Sequence, residues 1–99
     1  MVLSACEKNQ SDGGLKFMNI TVEISMYPLN EDFETRIKSF IEKLNTYADL
    51  RITTSATSTI VIGEYQYVMQ VLTEMLAWSY AEHGKAVFVS KFIPGYVPE

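Results

Sequence analysis

Three side chains capable of chemistry alternate along Phe17 to Pro28, F-M-N-I-T-V-E-I-S-M-Y-P. They are Glu23, Ser25 and Tyr27. Spaced by two, they fall on one side of an extended strand together with Asn19 and Thr21, because successive strand side chains point to opposite faces. The row holds a carboxylate, a hydroxyl and a phenol, more than a merely solvated face requires. A second supply of hydroxyls follows in T-T-S-A-T-S-T, residues 53–59, with six hydroxyl residues in seven. By itself such a run describes a water-facing hairpin, since Thr fits strands well. Its convergence with Glu23, Ser25 and Tyr27 on one sheet face favours a receptor for a small, flat, polar cation. Hydroxyls would bond a heteroaromatic edge, and a carboxylate or ring would face the positive charge.

Other chemistries find no support. His83 is the sole histidine and stands at a helix end, where a cap is the commoner role than a catalyst. No nucleophile with its base can be assembled, so no catalytic residue is assigned and the protein is not expected to be an enzyme. Metal ligation lacks clusters of His and Cys, and no cofactor is expected. No G-x-x-x-x-G-K-[ST] or G-x-G-x-x-G phosphate loop occurs.

The elements that must position these groups can be read in order. In the first strand Ile20, Val22, Ile24 and Met26 form the apolar side. Pro28 stops it, Asn30 is placed to cap a helix, and Glu31, Asp32 and Glu34 put negative charge in the first turn. Phe33, Ile37, Phe40, Ile41, Leu44 and Ala48 then recur at steps of three and four, which predicts an amphipathic helix from Glu31 to Ala48. A second strand is expected from Leu50 to Ser55, with Leu50 and Ile52 inward. A third is expected from Thr57 to Gly63, with Ile60 and Ile62 inward and Thr59 and Val61 outward. A tight turn around Ser55–Ala56 would join them. The second helix runs from Glu64 to Glu82 with Val68, Val71, Leu72, Met75 and Ser79 facing the core. Tyr65, Met69, Leu76 and Tyr80 form a further stripe, suited to a subunit contact or to a terminal segment of the same chain. His83 and Gly84 end that helix, and the last strand is Lys85 to Ile93.

Strand, helix, strand, strand, helix, strand predicts an α+β chain. Two helices must cover one face of a four-stranded antiparallel sheet, in the ferredoxin-like βαββαβ arrangement. The other face is left bare, and it is the face expected to carry the polar row with Thr53, Ser55, Thr57 and Thr59. Copper chaperones of this fold need C-x-x-C, and its acyl-phosphate hydrolases need a phosphate loop with Arg after the first strand. Neither occurs here.

Ninety-nine residues, 47% of them apolar, suit one domain with one core. Residues 1–16 are polar and Gly-rich and are expected to be a disordered extension, 17–95 the domain and 96–99 a tail. Eight basic against twelve acidic residues, net −4, argue against nucleic acid, which leans on phosphate neutralisation. No apolar run approaches the roughly 20 residues of a membrane span. The single cysteine, Cys6, excludes a disulfide within the chain. Its L-S-A-C context resembles a lipoprotein box, but only five residues precede it, too few for a leader, so a free thiol is the reading.

Three blocks carry a resemblance: V-E-I-S-M-Y-P-L (22–29), S-T-I-V-I-G-E-Y (58–65) and V-F-V-S-K-F-I-P-G (87–95). In this order and spacing the chain, over about residues 18–95, resembles the YkoF-like thiamine-binding family. The resemblance implies non-enzymatic binding of thiamine or its hydroxymethylpyrimidine part, as carrier or sensor in the cytoplasm. It also implies a homodimer or homotetramer, because some members carry two copies of the domain where this chain has one. Glu23, Ser25, Tyr27, Thr54, Ser58, Thr59 and Glu64 fall in or beside the matching blocks. On this reading Ser25, Thr54 and Thr59 would bond the pyrimidine edge, Glu23 would face the amino group or the thiazolium charge, and Tyr27 would stack. The alternative is a structural or regulatory oligomerisation module without a ligand.

Overall fold

A computed structural model of the chain describes residues 18–98. The expected N-terminal extension, with Cys6, lies outside the described residues. Six elements follow in the expected order: β1 (Asn19–Pro28), α1 (Phe33–Leu44), β2 (Arg51–Thr54), β3 (Thr59–Glu64), α2 (Tyr65–His83) and β4 (Ala86–Pro94). The sheet order is β2-β3-β1-β4 with every pairing antiparallel, a ferredoxin-like arrangement. Ile20, Val22, Ile24 and Met26 of β1 pack in one cluster with Phe40 and Leu44 of α1 and Val68, Val71, Leu72 and Met75 of α2. Both helices therefore lie on one side of the sheet, here called the helix side. The other is the open side. Among the described residues no helix is long and apolar enough to cross a membrane.

The ends of the helices have local causes. Helix α1 starts later than expected, after Asp32, whose carboxylate accepts from Arg36 Nε at 2.7 Å rather than from a backbone N–H. It stops at Leu44 because polar side chains take its last carbonyls. Asn45 Nδ2 donates to Ile41 O at 2.8 Å and Thr46 Oγ1 to Lys43 O at 2.7 Å. Ala48 thus falls beyond the helix. Helix α2 ends as expected at His83, where Gly84 takes φ 80° and donates its N–H to Tyr80 O.

Strand β3 lies in the opposite phase to the one expected. Residues opposite one another across a ladder share a face, and the register sets Val22 opposite Val61 and Ile24 opposite Thr59. Thr59 and Val61 therefore face the helices, while Ile60 and Ile62 face the open side. Gly63 gives the reason. It lies opposite Ile20 on the helix side, where a Cβ would come within 2.8 Å of Leu50 Cδ2 and 3.1 Å of Val68 Cγ2. The crowded position under α2 takes the residue without a side chain, and the odd-numbered neighbours follow it inward.

Nor is the open side wholly bare. After β4, Gly95 N donates to Asn19 O at 2.6 Å and Thr21 Oγ1 donates to Tyr96 O at 2.6 Å. Further on, an Arg51 guanidinium nitrogen donates to Pro98 O at 3.2 Å. The segment expected as a simple tail thus folds back beside Thr21 and Arg51. Thr21 is 4% and Ile62 8% exposed, although both point away from the helices. The rest of that face shows Tyr27, Val87, Val89 and Ile93 to solvent.

Candidate functional site

The register divides the expected site residues between the two sides of the sheet. Glu23, Ser25 and Tyr27 stand on the open side, opposite Lys91, Val89 and Val87 of β4. Thr54 and Thr59 are opposite one another and, with Ile24, face the helices. The single polar face on which all were expected to converge is not formed, because Thr59 follows the phase of Gly63. Glu64 is separate again, at the far end of β1 opposite Asn19. Its carboxylate accepts from Gln66 N at 2.9 Å and Tyr67 N at 3.0 Å, capping α2.

On the open side the polar groups are largely spent on each other. Ser58 Oγ donates to Glu23 Oε2 at 2.9 Å, and Lys91 Nζ lies 3.6 Å from Glu23 Oε1. Ser25 Oγ donates to Thr57 O at 3.0 Å. Both contacts tie the β2–β3 loop to β1. The loop itself is longer than the tight turn expected around Ser55–Ala56, and it is closed by Ser55 N donating to Ser58 O at 2.8 Å. Tyr27 is exposed, opposite Val87 of β4.

The helix side of the same loop forms a cleft. Thr54, Ser55, Ala56, Thr57, Ser58 and Thr59 make one wall. Ile24, Met26, Ile37, Phe40 and Ile41 make the others. Its volume is about 70 Å³. The Thr54 and Thr59 hydroxyl oxygens are 3.2 Å apart in it, one donating to the other, and Thr59 is only 6% exposed. Each hydroxyl carries two lone pairs and one proton, so the pair keeps a donor and acceptors for a third group. Among the described residues no ionisable side chain lines the cleft. Its chemistry is one hydroxyl edge against aliphatic and aromatic walls, which suits the rim of a planar ring.

Of the residues expected at a site, Thr54, Ser58 and Thr59 line this cleft, and its opposite wall was not among them. Ile37, Phe40 and Ile41 look like core at helical spacing, and nothing in that spacing separates a core side chain from a cleft wall. Lys91 was missed as the partner of Glu23, although a lone basic residue within an apolar strand was visible in V-F-V-S-K-F-I. Among the described residues no group of three metal-ligating side chains is gathered.

No protein-family model matches the chain, and no curated protein matches it either. Solved structures do. A candidate thiamine biosynthesis/salvage protein from Thermotoga maritima superposes with a TM-score of 0.69 at 22% identity, covering 76% of this chain and 82% of its own. A Streptococcus pneumoniae protein gives 0.69 at 20%, covering 82% and 88%. A domain of unknown function, DUF77, from Bacillus cereus gives 0.61 at 18%, covering 75% and 73%. Their common ground with this chain is the fold. The ferredoxin-like architecture is shared along most of each chain.

Proposed function

We propose that the protein binds thiamine or its hydroxymethylpyrimidine part without catalysis, as a carrier or sensor in thiamine supply, in the manner of the YkoF-like family it resembles. The observation that carries this reading is the Thr54–Thr59 hydroxyl pair at the edge of an otherwise apolar cleft. An aminopyrimidine presents donors and acceptors along one edge and apolar faces elsewhere, so its edge would meet the threonines and its faces Ile37 and Ile41. Likeness in fold to a candidate thiamine biosynthesis/salvage protein supports the same choice. Among the described residues the lining carries no acid or base, which supports binding over turnover. Ser25 and Glu23 take a different part from the one first expected. From the far side of the sheet they hold the loop that forms the cleft.

A second reading, an oligomerisation module, is favoured by the open side. Tyr27, Val87, Val89 and Ile93 form an exposed apolar face beside the Glu23–Lys91 pair. The two readings are compatible if a second copy covers that face, giving the homodimer or homotetramer that the resemblance implies and leaving the cleft open on the other side.

Calorimetric titration of the whole chain with hydroxymethylpyrimidine tests the proposal. Binding is expected, and Thr54→Val should weaken it by less than about tenfold, the worth of one hydrogen bond. Absence of heat at millimolar ligand would refute it. Light scattering reports the mass, and a monomer at all concentrations would refute the second copy.

A further inference from the structure

The end of the sheet away from the β2–β3 loop holds a hollow of a different kind. Asn19, Arg51 and Ile62 line it from three strands, and Asp49 and Leu50 from the corner before β2. Val97 of the returning segment forms a further wall. Arg51 and Ile62 are opposite one another, so both stand on the open side. The volume is about 380 Å³, within the roughly 300–1,000 Å³ of small-molecule sites.

One acid and one base line this hollow without pairing. Among the described residues the ion pairs are Asp32–Arg36 and Glu23–Lys91, and neither Asp49 nor Arg51 takes part in one. A guanidinium nitrogen of Arg51 donates to Pro98 O at 3.2 Å. That acceptor is uncharged, and the planar fork keeps further N–H donors. Both residues are exposed, so their charges are hydrated rather than cancelled. A lone anion entering the hollow would meet Asp49, and a lone cation would meet Arg51. Each repulsion becomes an attraction when one small molecule carries both charges. The remaining walls at Leu50, Ile62 and Val97 are apolar.

The corner is set before any ligand arrives. Asp49 takes φ 62°, a left-handed conformation that Asp tolerates better than most side chains. Tyr67 Oη donates to Ala48 O at 2.8 Å and holds the residue before it. Gly63 lets the corner lie close, since a Cβ there would meet Leu50 Cδ2 at 2.8 Å and reach Asp49 O at 3.5 Å. The backbone that carries the two charges is therefore ordered on folding, which lowers the cost of binding.

We infer that this hollow is a second ligand site, and that it takes a free α-amino acid with an apolar side chain. The Arg51 guanidinium receives the carboxylate, and the Asp49 carboxylate receives the ammonium. The side chain of the ligand lies against Leu50, Ile62 and Val97. The site shares no lining residue with the cleft at the β2–β3 loop, so it stands or falls independently of the pyrimidine reading. Water and salt weaken contacts to exposed charges, so binding is expected in the millimolar range.

The test is a titration of the isotope-labelled full chain, followed by NMR at the backbone amides. The probes are L-leucine, isocaproate and isoamylamine. The last two keep the leucine side chain and lose the ammonium and the carboxylate respectively. Leucine is expected to shift the amides of Leu50, Arg51 and Gly63 to saturation, while those of Ser55 and Ser58 stay in place. Each analogue should bind at least about threefold more weakly, as should leucine to Arg51→Gln and to Asp49→Asn. Asn also tolerates the left-handed region, so Asp49→Asn keeps the corner, and it decides the matter should Arg51→Gln not fold. The site is overturned if tens of millimolar leucine leave the amides around Arg51 unmoved. It is overturned equally if either analogue binds as well as leucine, or if a folded variant keeps full affinity.

Discussion

The two sides of β1 belong to one ten-residue strand and are buried by different means. On the helix side Ile20, Val22, Ile24 and Met26 are covered by side chains of α1 and α2, and each adds to a single packed core. On the open side Thr21 is buried just as fully, but beside a returning segment that it holds by one hydrogen bond to Tyr96 O. Six residues along, Tyr27 is half exposed on the same side. Burial by helices is broad and apolar. Burial by the returning segment is local and depends on a few polar contacts. A face covered in the second way can be uncovered without unfolding the domain, and a face covered in the first way cannot.

The largest test of that difference is Ile20→Ala. The side chain is 1% exposed on the helix side, and its loss should lower unfolding free energy by about 2–5 kcal/mol, through lost transfer energy and the cavity left behind. Denaturant melts measure it. A loss below about 1 kcal/mol would mean that the core closes over the gap, contrary to a tightly packed helix side.

Gly63→Ala probes the same side from β3. The new methyl would meet Leu50 Cδ2 at 2.8 Å and Val68 Cγ2 at 3.1 Å. Leu50 can turn away in part, so a cost of about 1–3 kcal/mol is expected, the usual penalty of overpacking. If the substitution is neutral or stabilising, the crowding under α2 is absent, and with it the reason given for the phase of β3.

On the open side Thr21→Val should cost less, about 0.5–1.5 kcal/mol, because it removes one hydrogen bond and leaves Tyr96 O to water. Its sharper effect is local. Hydrogen exchange at the Gly95 amide, bonded to Asn19 O, should quicken while core amides of β1 and β3 keep their protection. Equal quickening everywhere would show that the returning segment belongs to the core after all.

The same contrast explains what could be read from the residues alone. Strand β1 was legible because its polar and apolar positions alternate without exception from Asn19 to Met26. The inner stripe of α2 was legible for the same reason at helical spacing, and Val68, Val71, Leu72, Met75 and Ser79 are all buried. Strand β3 was not. Ile60, Val61 and Ile62 are apolar on both sides, so the pattern holds no phase, and the deciding residue, Gly63, acts through a steric contact with chain distant in sequence. Hence the phase expected for Thr59 is the wrong one, and the candidate residues expected on one face stand on two. Glu64, expected beside a ligand, caps α2, and a carboxylate one residue before a helix serves either purpose. The fold of residues 53–58 depends on a bond that Glu23 accepts from Ser58 and one that Ser25 donates to Thr57 O, which no local pattern announces.

The smallest expected effect lies on the outer surface of the helix layer and carries a definite sign. Arg36 joins the two helices. Its Nε donates to Asp32 Oδ1 at 2.7 Å, and another guanidinium nitrogen donates to His83 O at the end of α2. The Arg36 hydrogen bond holds the Asp32 carboxyl below its ordinary value of 3.8. A carboxyl lowered on folding stabilises the folded state above its ordinary pKa, and that contribution is lost as pH falls through the lowered one. Asp32→Asn should therefore reduce the melting temperature slightly at neutral pH. The gap between variant and unaltered protein should narrow as the solution is taken below the ordinary carboxylate range. Asp32 is exposed to solvent, so added salt should narrow the gap as well. A gap that ignores both pH and salt would mean that the carboxylate contributes shape alone, and that the helices are held together by Phe40, Leu44 and their apolar neighbours without help from charge.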